Sequence, residues 1–274
     1  MRKKKQKVSN GICKLTLKEG RFVESHILPK SLTLLNSKGE RAIQTSLNGF
    51  AKKRFPGWYD NQLCIAEGEE ILSKIDDSGI KALRNHLLIW SGWPKDMHSL
   101  NTNDCLIDHN NYEEGIGLRA IKNIDWKAVK LFILSLLWRA AASERDEMSE
   151  IKLPDPMLEK LRKAIIEYDA LSVTDFPVNL YQIGDKGAEH NRTPILEKID
   201  FVLPPPYGTR VYNVCRIYLD GMIAYVTLDP DEDFSEIFKS NLLGYDDSLL
   251  VFVHKFDKSR SRDNLITIFS NQRK

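Results

Sequence analysis

The stretch DWKAVKLFILSLLWRAAAS, residues Asp125–Ser143, carries the strongest helical pattern in the chain. Asp125 is a good N-cap, because its short carboxylate can accept a bond from the first free N–H groups of a helix. Val129, Phe132, Ile133, Leu136 and Leu137 recur at helical spacing and form one apolar face. Leu131, Leu134 and Trp138 widen that face until almost every side is apolar. A helix apolar all round is buried, so Trp126–Ser143 is expected at the centre of the molecule. Arg139 sits on this helix, and arginine is seldom buried unpaired. A carboxylate partner is therefore expected, either Glu144 or an acid from another helix.

Downstream, Pro154–Asp169 reads as a second amphipathic helix, with Pro154 near its start. Pro177–Ile183, Arg210–Tyr218, Met222–Leu228, Leu249–Phe256 and Leu265–Phe269 read as strands, rich in β-branched and aromatic residues. Asp220-Gly221 suits a tight hairpin turn. Upstream, Ile12–Leu17 alternates and reads as a strand, Glu19-Gly20 as a turn, and Arg21–Leu28 as the returning strand, ended by Pro29. Residues 31–57 carry many breakers and read as loop, followed by a third short strand over Trp58–Leu63. Glu67–Leu88 has helical periodicity, with Gly79 a candidate break into two helices. Residues 91–123 look irregular. The expected fold class is α+β: a small ββα unit, a helical middle and a mainly antiparallel β region at the C-terminal end. The expected divisions are a disordered basic arm over 1–10, the small unit over 11–95, an irregular linker over 96–123, and a helical plus β domain over 124–274.

The 274 residues are 42 % hydrophobic and 28 % charged, an ordinary globular mixture. Four scattered cysteines do not make a disulfide framework, which favours a reducing compartment. The basic N-terminus has no apolar stretch behind it, and Leu131–Trp138 is too short to span a bilayer. A cytoplasmic protein without a membrane partner is expected by elimination. The net charge of +2 hides an asymmetry. Residues 1–95 hold 18 Lys+Arg against 9 Asp+Glu, and the remainder holds 22 against 29. A basic lobe on an acidic body favours a polyanion at the first lobe, although Arg2–Lys7, which supplies five of those charges, also reads as a solvated tail.

The chemistry-bearing stretch is ESHILPK, Glu24–Lys30. It puts the imidazole of His26 at a strand-to-loop corner. Cys64 then precedes a helix bearing Glu67, Glu69, Glu70 and Asp76. Imidazole plus carboxylates is the inventory of metal-assisted hydrolysis. The plain alternative, a structural histidine near a proline, stays open. Lys30, Lys52, Lys53 and Arg54, with Tyr59 as a stacking ring, are candidate nucleic-acid contacts, whereas Trp58 reads as core. His86, His98 and His109 fit no metal spacing. There is no phosphate-binding glycine loop, dinucleotide fingerprint or G-x-S-x-G elbow.

These segments resemble the bacterial HNH-endonuclease-like proteins of treble-clef type, in a branch that reads C-x-x-C, then S-H-I-I-P-K, then L-C-x-x-C-E, then F-x-L-S-I-L-W-R-A-S. The matching segments are Cys13–Thr16, Ser25–Lys30, Leu63–Gly68 and Phe132–Ala141. The resemblance covers residues 12–90 and 124–168. It implies a treble-clef (ββα) unit over 11–95, degenerate at named positions. Thr16 and Glu67 stand where the second cysteine of each zinc pair belongs, and Gly68 stands where the branch has an acid. A structural zinc is therefore not expected, with Cys13 and Cys64 its remnants. The resemblance implies His26 as general base with Glu24 beside it, and one divalent ion, magnesium or manganese, on Glu67 or Glu69. The implied function is that of an HNH-like nuclease or nuclease-derived protein acting on nucleic acid, DNA before RNA, in defence against foreign DNA. The alternative is a catalytically inactive nucleic-acid-binding or protein-interaction subunit, with the C-terminal region meeting a protein partner.

Overall fold

A computed structural model describes residues 9–33, 42–45, 52–54, 58–110, 115–187, 190–203 and 205–260, with 262, 263 and 266. Strands β1 (Asn10–Ile12) and β2 (Glu19–Arg21) pair antiparallel. β3 (Ser25–His26) pairs with β6 (Tyr59–Asp60). Between these two in sequence lie β4 (Ala42–Thr45) and β5 (Lys52–Arg54). Then come α1 (Ala66–Asn85), β7 (Ile116–Lys122), α2 (Trp126–Ala142) and α3 (Asp155–Glu167). The remaining elements are β8 (Val178–Ile183), β9 (His190–Arg192), β10 (Ile195–Val202), β11 (Thr209–Leu219), β12 (Met222–Thr227), α4 (Phe234–Phe238) and β13 (Ser248–His254).

The protein is α+β, built on a six-stranded mixed sheet of order β10-β11-β12-β8-β13-β7. Every neighbouring pair is antiparallel except β8 and β13. A smaller sheet, β5-β4-β9, holds β4 parallel to β9.

Helix α2 is central, as its composition demands. The side chain of Asp125 accepts from the Ala128 N–H, and Val129–Ala140 is buried throughout. Leu180, Ala224 and Ile217 lie side by side on one face of the large sheet and join the same apolar cluster as α2. Leu161 and Ile165 of α3 enter it, as do Leu72, Ile75 and Leu83 of α1 and Cys13, Leu15 and Ile27 of the N-terminal strands. One apolar core thus runs from the first hairpin to the sheet.

Several elements differ from the sequence reading. Residues 13–18 form a turn rather than a strand, with the Cys13 N–H on the Lys18 carbonyl and Leu17 at φ 60°. Glu19-Gly20 is strand rather than turn. His26 consequently lies on β3, beyond that hairpin, where it pairs across to Tyr59. The expected loop over 31–57 contains β4 and β5. Gly79 does not break α1. A Cβ there would stand 2.3 Å from the Phe132 Cβ, so glycine lets α1 lie directly against α2. The irregular stretch 91–123 ends in β7, an edge strand. Its inward positions are Gly117, Arg119 and Ile121, so the apolar alternation of a strand is missing. β10, β9 and α4 were not legible either, and β10 reads ILEKIDFV because it is a half-exposed edge. The Asp220-Gly221 turn joins β11 to β12 as expected, with φ 45° and 85°, the double-positive geometry such hairpins need. Of Leu265–Phe269, only Ile266 lies within the described residues, and it is helical.

Candidate functional site

The first hairpin and the start of α1 are laced together by backbone bonds. Lys14 N–H donates to the Leu63 carbonyl (2.9 Å), and Val23 N–H to that of Cys64 (3.0 Å). This brings Cys13 and Cys64 together, fully buried and as free thiols. The Thr16 N–H points at the Cys13 Sγ (3.4 Å). The hydrogen bond between the two thiols holds Cys13 down to about 5, and the same bond, with burial, pushes Cys64 up. A Cβ on Gly68 would stand 2.9 Å from the Cys13 Sγ and 3.2 Å from the Cys64 Cβ. The glycine where an acid was looked for therefore makes room for the thiol pair.

The other two positions of a four-ligand zinc site are engaged elsewhere. Thr16 Oγ1 accepts from the Lys18 N–H (3.4 Å), and Glu67 Oε1 is paired with the Lys18 ammonium at 2.7 Å. Two thiols facing each other, a hydroxyl and a lysine-bound carboxylate do not fit a tetrahedral zinc.

His26 is held at the end of β3 by its pairing with Tyr59 and by the Ile27 N–H on the Trp58 carbonyl (2.9 Å). Its side chain is 23 % exposed, and Nε2 lies 3.9 Å from Glu24 Oε1. The imidazole and Tyr59 rings are 6.5 Å apart. The acids around this corner are largely taken. Asp76 receives both terminal nitrogens of Arg139, Nη1 to Oδ2 at 3.0 Å and Nη2 to Oδ1. Arg139 Nη1 also donates to the His26 carbonyl (3.1 Å), and Nη2 to Ser135 Oγ (3.0 Å). Burial pushes the Asp76 carboxyl up, and the guanidinium opposes that shift. Asp60 is buried; it accepts the Ser143 hydroxyl at 2.7 Å and the Gln62 N–H at 2.8 Å. The expected partner of Arg139 thus comes from α1, while Glu144 pairs with Lys14 at 2.7 Å.

Two buried oxygens near the start of these elements, Ser25 Oγ and Glu69 Oε2, have no hydrogen-bond partner among the described residues. Glu67 and Glu69 stand two residues apart on α1, a spacing that does not put side chains on one side of a helix. Among the described residues, no group of three or more His, Cys, Asp or Glu is placed to hold a metal.

Of the expected nucleic-acid contacts, Lys30 is exposed, four residues after His26 at the head of a short 3-10 turn. Tyr59 is half-buried between His26 and the Arg145 guanidinium, which lies 5.9 Å from its ring centroid. Lys52, Lys53 and Arg54 form β5, paired with β4, and their side chains lie outside the described residues. Arg145 was missed by sequence reading, although its place just beyond the buried helix, two residues after Ser143, was the available signal. No known protein family, curated protein or solved structure matches this chain.

Proposed function

We propose that this chain is a nuclease-derived protein that grips nucleic acid at the His26 corner without metal-dependent hydrolysis. The carrying observation is that Asp76 is engaged by Arg139, Asp60 by Ser143 and Gln62, and Glu67 by Lys18, which leaves Glu24 as the carboxylate in ion-pair range of His26 among the described residues, and one carboxylate is a poor cage for a divalent ion. A degenerate treble-clef reading of β1, β2 and α1 is supported by the cysteine at the hairpin turn meeting the cysteine before the helix. At this corner Lys30 and Glu24 are exposed, Tyr59 and Arg145 are half-buried, and the Arg145 guanidinium is paired with Glu147 at 3.1 Å. Cations meet phosphates and a ring stacks on a base, which is how unspecific strands are held.

Fluorescence anisotropy with labelled single- and double-stranded DNA and RNA tests this reading. Affinity is expected to fall steeply between about 50 and 200 mM salt, and Lys30→Gln or Arg145→Gln should each reduce the salt slope by about 1. Tyr59→Ala should weaken single strands more than duplexes. Absence of salt-sensitive binding to any of the four would overturn it.

A hydrolytic reading is favoured by one pair of observations, the 3.9 Å approach of Glu24 to His26 and the unpartnered Oε2 of Glu69. In that reading His26 activates water and one divalent ion steadies the leaving oxygen.

A further inference from the structure

The large sheet has a second face, turned away from α2. On it lies a cavity of about 360 Å³. Cross-strand partners point to the same side, and Tyr181, Tyr225, Phe201, Phe238 and His254 bring five rings to its walls. Tyr181 meets Tyr225 edge-on at 5.1 Å and stacks on Phe252 at 5.5 Å, while Phe201 meets Phe238 edge-on at 4.9 Å. The volume falls in the range of small-molecule sites, which are mostly apolar with a few polar groups fixing orientation.

The charge of the lining is one-sided. Lys258 and Arg260 line the cavity, and among the described residues no aspartate or glutamate does. Arg260 pairs with Glu197 at 3.0 Å, but the same oxygen of Glu197 also lies 3.1 Å from Arg216 Nε. Arg192 stands within electrostatic reach of both Arg216 and Glu197, and burial together with Arg216 pushes it down to about 10. Two guanidiniums, Arg216 and Arg260, therefore share one carboxylate oxygen, with Arg192 adding positive charge behind them. Arg216 keeps Glu197 occupied, so Arg260, with a half-exposed side chain, can turn to another anion at little electrostatic loss. Lys258 makes no ion pair among the described residues. The interior is held neutral: burial pushes the Tyr181 hydroxyl up to about 12 and the His254 imidazole down.

We propose that this cavity binds a nucleoside monophosphate, with its planar base among Tyr181, Tyr225 and Phe238 and its phosphate on Arg260 and Lys258. A flat aromatic body suits walls made of rings. A dianionic end suits a rim where cations outnumber carboxylates, and guanidinium is a good phosphate partner. The nucleotide can arrive free or as the phosphorylated end of a strand. The site shares no residue with the His26 corner and stands independently of that reading.

Titration calorimetry with AMP, GMP, CMP and UMP on the full chain tests it. At least one is expected to bind at a single site. The matching nucleoside and inorganic phosphate should each bind about tenfold or more weakly, since each lacks one half of the contacts. Arg260→Gln alters an exposed side chain and should weaken the nucleotide by about tenfold. Ile116→Trp, at a lining position that is 36 % exposed, should plug the cavity and abolish binding while leaving the fold intact. Displacement of the nucleotide by a 5′-phosphorylated oligonucleotide assigns the strand end as its source; failure to displace it assigns the free nucleotide. No heat from any of the four at millimolar concentration, or equal affinity in the wild type and both variants, overturns the proposal.

Discussion

Arg139 and Lys130 are two long cations buried in one apolar helix, and they solve that problem differently. Arg139 is 1 % exposed and keeps its charge against a bidentate carboxylate from α1. Its need for such a partner was legible from its place behind Trp138, but the identity of the partner was not, because Asp76 lies 63 residues away. Lys130 is 0 % exposed and was not noticed in a run whose other members are apolar. Among the described residues its ammonium donates to the Ser172 carbonyl alone, and burial pulls its pKa from 10.5 down to about 8, with Asp175 and Asp169 opposing. Below pH 8 both folded and unfolded states carry the proton. Between about 8 and 10.5 the unfolded chain holds it and the folded chain does not, so folding stability gains from Lys130 as pH rises, by about 3 kcal/mol over the window. Denaturant unfolding of the wild type and Lys130→Met at a series of pH values should show the difference between them widening in favour of the wild type from pH 8 upward. Parallel stability curves would mean that Lys130 titrates normally.

At the level of elements, periodicity found what burial shapes and missed what backbone geometry shapes. α1, α2, α3 and strands β8, β11, β12 and β13 each carry an apolar period read correctly to within a few residues. The first hairpin was misread because Ile12–Leu17 alternates like a strand while its backbone is a turn around the Cys13 sulfur. Glycine loosens an exposed helix, which makes Gly79 a candidate break by sequence, but in α1 the space against Phe132 decides the choice. The site was legible in part: His26 and Glu24 are brought together, and Glu67, offered as a metal carboxylate from a shifted position, is paired with Lys18. The thiol pair offers a test of the hairpin and helix as a zinc scaffold. Thr16→Cys with Glu67→Cys restores four thiols at the two turns, and atomic absorption of the purified double variant should find about one zinc per chain, with its thermal unfolding raised and sensitive to chelator. A double variant that folds and takes up no zinc would separate this turn from zinc knuckles.

Over the whole molecule, topology was beyond reach of local pattern. The parallel pairing of β8 with β13 and the position of β7 at the sheet edge join strands far apart in sequence, which no local pattern encodes. The charge asymmetry of the sequence was readable, and the exposed Lys30 and half-buried Arg145 flank a corner where Asp76 and Asp60 face inward to Arg139 and Ser143. That arrangement underlies the central proposal of binding without metal-driven hydrolysis. Its most direct test is incubation of supercoiled DNA and of RNA with the wild type and His26→Ala, in magnesium, manganese or nickel, with cleavage followed on gels. Neither protein is expected to cleave above the buffer background in any ion; nicking by the wild type that requires a divalent ion and disappears in His26→Ala would rule out binding without hydrolysis.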